Sequence, residues 1–170
     1  MIGVLALAHG RGRSSGDDDI DALVCACATV RRASRAVTQF YDGWLRPHGV
    51  EGPQFALLAM LDRFGPCSQA TMRRRFDLDK TTLSRNLKLL KRRRGVEFGA
   101  GSDARERRMT LTAGGRRRLD AARPAWRSAQ QELRTALGDR DWNATLKRID
   151  AITHAARIAR RATSARKKKS

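Results

Sequence analysis

The residues best placed to do chemistry in this sequence are cations and short hydroxyls at helical spacing. Thr81, Ser84, Arg85 and Lys88 share one face of a helix that the pattern predicts from Lys80 to about Arg93, and Leu83, Leu87 and Leu90 mark the opposite face. An apolar back with a front of short polar and basic groups suits the major groove of duplex DNA. There a guanidinium reads guanine bidentately, and hydroxyls reach phosphates or base edges. An ordinary solvated helix face is the plainer alternative. Downstream, Asp103-Ala104-Arg105 stands at the tip of an expected hairpin. An arginine there can enter a narrow minor groove, with Asp103 holding it in place; a surface ion pair in a solvated turn is the alternative. Arg107 and Arg108 alternate along the following strand, so only one can face a DNA backbone, and Arg107 is taken as that one. Arg73 and Arg74, with Arg75, supply further expected phosphate contacts.

A second group could sense rather than bind. Cys27 and Tyr41 are fourteen residues apart on the first expected helix, hence on one face and roughly 21 Å apart along it. They cannot meet within one chain, but antiparallel packing of two first helices brings Cys27 of one chain toward the partner's Tyr41. Arg31, one turn after Cys27, could lower the thiol pKa and favour the thiolate. Cys25 is a candidate second thiol, although side chains two apart on a helix diverge. Alternatively, Cys27 is simply a small buried apolar residue. Phe40, Trp44, His48 and Phe55 gather near the bend between the first two helices, as a candidate effector pocket or as plain core.

These residues need elements to hold them. A stripe of Leu23, Cys27, Val30, Ser34, Val37, Tyr41 and Trp44 predicts a long helix from about Asp19, ended by Pro47 and Gly49. Pro53 opens a second helix that is apolar on most sides. A third runs from the cap Ser68 to about Phe76, and Asp77-Leu78-Asp79 turns into the fourth, with Asp79 as its cap. Val96–Phe98 and Arg107–Thr112 read as a hairpin. Helical periodicity returns from Ala113, with a kink expected at Pro124, a stop at Gly138, and a last helix carrying Trp142, Leu146, Ile149 and Ile152. From Arg157 onward there are seven basic residues and no acid, and a frayed tail is expected. The outer helices carry stripes that one short domain cannot cover, which points to a two-fold dimer.

The segment from Gln54 to Gly115 resembles the MarR family of winged-helix regulators. The resemblance rests on Gln54-Phe-Ala-Leu-Leu58, Leu78-Asp-Lys-Thr-Thr-Leu-Ser-Arg85, Asp103-Ala-Arg105 and Leu111-Thr-Ala-Gly-Gly115. It implies a mainly α fold with a small β-hairpin wing. It divides the chain into a disordered arm over 1–17, a single domain over 18–160 and a basic tail over 161–170. Within the domain, 18–48 and 116–160 would be dimerisation helices and 53–112 the winged helix-turn-helix. It further implies a homodimer on a pseudo-palindromic double-stranded operator, released by a small lipophilic or phenolic effector or by an oxidant. The Cys27–Tyr41 arrangement resembles the peroxide-sensing OhrR branch. It departs at Arg31, where that branch has a second tyrosine, and Arg73–Arg75 add charge that the family's third helix usually lacks.

Composition narrows the rest. Lys and Arg number 36 against 17 Asp and Glu, a net charge of +19, which calls for a polyanionic partner. Aromatics make up only 5%, too few for a single-strand stacking platform. Three cysteines and no convincing export signal fit the cytoplasm, and no apolar run approaches a membrane span. No phosphate loop, HExxH or paired C-x-x-C motif is present, so neither an enzyme nor a cofactor is expected. A sequence-tolerant architectural DNA-binding protein is the rival reading, and binding of residues 157–169 to anionic lipid is a third.

Overall fold

The computed structural model of the chain describes residues 25–76, 78–100 and 107–167. Among them the order is α1 (Ala26–Leu45), a 3-10 turn (Arg46–His48), α2 (Gly52–Phe64), β1 (Cys67–Ser68), α3 (Gln69–Phe76), α4 (Lys80–Arg92), β2 (Val96–Ala100), β3 (Arg107–Leu111), α5 (Ala113–Leu137) and α6 (Asp139–Lys167). This is the mainly helical winged helix-turn-helix expected. The arm over 1–17, the start of the first helix near Asp19, Asp77, and the wing tip with Asp103 and Arg105 lie outside the described residues. No helix among the described residues is long and apolar enough to cross a membrane.

The chain forms two compact units, one ending at Phe40 and one beginning at Tyr41. In the first, the described side chains from Cys25 to Gln39 are all exposed, including the stripe residues Val30 and Val37.

The second unit holds the core. Leu83, Leu87 and Leu90 of α4 pack with Leu45, Leu58, Met109 and Leu119 in one buried cluster. Each such leucine is worth about 2–5 kcal/mol against alanine. Local chemistry sets the element ends. Pro53 lies in the first turn of α2, where its missing N–H costs nothing. Gly49 takes φ 73° to close the 3-10 turn and donates its N–H to the Arg46 carbonyl at 2.9 Å. The Asp79 carboxylate accepts from the Thr82 N–H at 2.8 Å, capping α4 as its position predicts.

A tight joint ties the wing to α5. Thr112 Oγ1 accepts from the Gly115 N–H at 2.9 Å and donates to the Arg94 carbonyl at 2.6 Å. Gly115 is buried so close to the preceding turn that a Cβ there would meet the Gly95 carbonyl oxygen at 2.0 Å. The Leu-Thr-Ala-Gly-Gly run is therefore a cap followed by a position where backbone touches backbone.

Two expectations need correcting. The hairpin is one part of a three-stranded antiparallel sheet, ordered β1-β3-β2, in which Ser68 pairs with Arg108 and Cys67 with Met109. A two-residue strand has no periodicity to read. Ser68 still acts as a cap, its Oγ accepting from the Thr71 N–H at 3.2 Å. Helix α5 carries Pro124 within it. The expected frayed tail is helical through Lys167. Six alanines between Ala151 and Ala165 favour helix there, and cations near a helix C-terminus are well placed against its dipole.

Candidate nucleic-acid interface

Helix α4 presents two chemically distinct faces. Its three core leucines are at most 2% exposed, which fixes the helix in rotation. Thr81, Ser84, Arg85 and Lys88 are all exposed on the other side. At the N-terminus, hydrogen bonding from Thr82 holds the Asp79 carboxyl below the usual carboxylate range. Asn86 Nδ2 donates back to the Thr82 carbonyl at 2.9 Å, so this amide is engaged along the helix.

The many arginines divide by what they touch. Several bind the fold together. Arg116 and Arg123 both pair with Asp62, Arg93 donates to the Gly49 carbonyl at 2.7 Å, and Arg118 donates to the Arg93 carbonyl at 3.2 Å. Arg108 donates to the Pro66 carbonyl at 2.7 Å, bracing β3 against the turn before β1. Arg75 lies over the Phe64 ring at 4.5 Å. Arg74 reaches Thr71 Oγ1 at 3.4 Å. Arg107 and Arg108 are both exposed, and the Arg107 guanidinium lies 5.7 Å from the Phe98 ring centre. Among the described residues no ion pair involves Arg73, Arg85 or Lys88. Arg93, Arg116, Arg118 and Arg123 were not singled out from the sequence, because their partners are carbonyls and carboxylates up to 61 residues away.

The sensing candidates are placed as follows. Cys25 precedes the first residue of α1 and is exposed; Cys27 and Arg31 are exposed within it. Backbone hydrogen bonds from Ala28 and Cys27 lower the Cys25 thiol pKa. Tyr41 is half-buried, its hydroxyl donates to Gln130 Oε1, and burial raises its pKa. The thiol of Cys67 is likewise pushed up by burial, against the opposing pull of Arg108 and Arg75. Phe55 is a core residue stacked on Trp126 at 5.7 Å, while Phe40, Trp44 and His48 are half-buried. Cavities of about 690 and 570 Å³ open elsewhere, one beside α3 and one beside β2.

Residues 48–106 match the MarR family. No protein with a curated description matches the chain. Among solved structures, the M. tuberculosis transcriptional regulator MosR in complex with DNA is 39% identical at a TM-score of 0.73, covering 80% of this chain and 98% of that one. PcaV from Streptomyces coelicolor, solved with its natural ligand, is 21% identical at 0.71, covering 80% and 96%. Bordetella bronchiseptica BpsR, whose DNA binding 6-hydroxynicotinic acid regulates, is 18% identical at 0.68, covering 84% and 98%. The last two share the fold.

Proposed function

The chain belongs to the MarR family of winged helix-turn-helix regulators, and on that premise we propose that it is a homodimeric repressor that reads a pseudo-palindromic duplex operator through α4. The observation that carries this is the division of α4 into a face of buried leucines and a face of exposed Thr81, Ser84, Arg85 and Lys88. The buried leucines anchor the helix so that the polar face projects as a rigid ridge, which is what base readout requires. Arg73, Arg74 and Arg107 supply phosphate contacts around it, and Arg105, with Asp103, enters the minor groove from the wing. MosR, the relative with the higher identity, was solved on DNA. The protein acts by binding, with no catalytic step, in the bacterial cytoplasm and on its nucleoid. A small lipophilic or phenolic effector near Trp44 and His48 is one way to release it.

A redox release has its own support. Cys25 is exposed at the start of α1, and backbone hydrogen bonds lower its pKa and favour its thiolate. Its thiolate attacks an organic peroxide oxygen, the O–O bond breaks, and the products are a sulfenic acid and an alkoxide that takes a proton from water.

Replacing Arg85 and Lys88 by alanine tests the reader. Each lost base contact costs about 1–3 kcal/mol of operator discrimination while the dimer persists. Unchanged operator affinity in that variant rules out α4. Peroxide should release wild type but not Cys25→Ser protein; equal release of both removes the Cys25 route.

A further inference from the structure

Arginines that are neighbours in sequence do different work here. In the turn after α4, Arg93 donates to the Gly49 carbonyl at 2.7 Å, and near the start of α5, Arg118 donates to the Arg93 carbonyl at 3.2 Å. Arg94 and Arg117 instead line the 570 Å³ cavity beside β2, together with Lys91 from the end of α4. Among the described residues no ion pair involves Lys91, Arg94 or Arg117. A helix end, a turn and a helix start thus bring three exposed cations to one opening. Glu97 is the one carboxylate among the described lining residues, so positive charge is in excess. Phe98 adds an apolar wall, and Lys91 Nζ lies 5.8 Å from its ring centre, which holds the ammonium beside the cavity. Arg94 takes φ 52°, a left-handed conformation that suits glycine and that other side chains rarely adopt. The turn holds it there: Thr112 Oγ1 donates to the Arg94 carbonyl at 2.6 Å, and a Cβ on Gly114 would meet that carbonyl oxygen at 3.1 Å. A guanidinium kept on so strained a backbone is a feature found at ligand clamps.

We propose that this cavity binds a compact anion carrying two or more negative charges, held by Lys91, Arg94 and Arg117, and that its occupancy weakens DNA binding through α4. The volume is that of a small-molecule pocket and is too small to admit a duplex. Cations gathered in a concavity focus a positive potential and raise the local concentration of small anions. Phosphate esters and polycarboxylates share the chemistry that such a site selects. Lys91 follows Lys88 by three residues and so lies beside it on α4. An anion at Lys91 places negative charge next to the reading face, where DNA phosphates approach. The anion site stands on the cavity alone, and its effect on DNA rests on the reading of the chain as a DNA-binding regulator.

The first test is calorimetric titration of the full-length protein, without DNA, with inorganic pyrophosphate and with citrate at constant ionic strength. Wild type should bind at least one of them saturably, and the preferred probe separates phosphate from carboxylate. Arg94→Gln/Arg117→Gln should weaken that binding about tenfold or more, because two charge-assisted contacts are lost. Lys147→Gln/Arg148→Gln removes the same charge from α6, outside the cavity lining, and should leave it nearly unchanged. All four positions are exposed, and circular dichroism checks that both variants remain folded. Lys91→Gln repeats the titration without touching the turn and should also weaken binding. If neither anion binds wild type, or if the two double variants lose binding equally, the proposal is wrong. The second test is fluorescence anisotropy with a random-sequence duplex at the same ionic strength. The bound anion should lower wild-type duplex affinity about tenfold, a typical coupling between two sites, and should barely change that of Arg94→Gln/Arg117→Gln. Equal lowering in both overturns the regulatory effect. If Arg94→Gln/Arg117→Gln loses duplex affinity while wild type binds neither anion, the cavity belongs to the DNA-binding surface and the proposal is wrong. Failure of wild type to bind any duplex overturns the regulator reading and leaves the anion site to the calorimetry.

Discussion

Helices α4 and α6 both carry a row of large aliphatics at helical spacing, and the two rows meet opposite fates. Leu83, Leu87 and Leu90 are 1%, 2% and 0% exposed, whereas Leu146, Ile149 and Ile152 are 46%, 44% and 47% exposed. The winged-helix lobe finishes its own core within one chain. The last helix does not, and a row of half-exposed isoleucines is costly to leave in water. The contrast separates two tasks. On the proposed function, one chain suffices to shape the reading face, and a second copy would cover α6 and set two reading faces at operator spacing.

The contrast breaks most sharply at α6. Ile149→Glu/Ile152→Glu should yield a folded monomer by light scattering. Losing the second lobe should lower operator affinity about 10²–10⁴-fold. A variant that stays dimeric would place the self-association surface elsewhere. Next comes the lobe's own packing. Gly115→Ala should destabilise the fold by about 2 kcal/mol or more in urea, because the new methyl meets the Gly95 carbonyl. An unchanged urea midpoint would show that this joint yields. The smallest effect is at the α4 cap. The Asp79 carboxyl is held below its ordinary pKa when folded. Its stabilisation is therefore complete above the ordinary carboxylate range and fades as pH falls through the depressed value. Wild type should be more stable than Asp79→Ala at neutral pH, and the two should converge once acid has protonated the folded carboxyl, below the ordinary Asp range. A gap that persists in acid would mean the cap does not depend on ionisation.

The two faces of α4 were legible in the sequence for a simple reason: three leucines and four polar residues at 3.6-residue spacing define them by themselves. The Asp79 cap was equally local. The joint at Thr112 and Gly115 was visible only as a family resemblance, because its cause is the backbone of Gly95 and Arg94. The two-residue β1 and the Arg108 contact with Pro66 depend on long-range pairing that no local pattern encodes. The run of charge after Arg157 looked like a solvated tail, yet its interleaved alanines keep it helical and set Arg157 and Arg160 across a cavity from α3.

The most direct test of site-specific regulation compares binding to the DNA upstream of this protein's own gene with binding to an equal-length random duplex, both at one near-physiological salt concentration. A preference of roughly 10³-fold or more for the upstream DNA is the predicted result. Equal affinity for both duplexes, repeated with fragments selected from the whole genome, would contradict it and leave a sequence-tolerant architectural protein in its place.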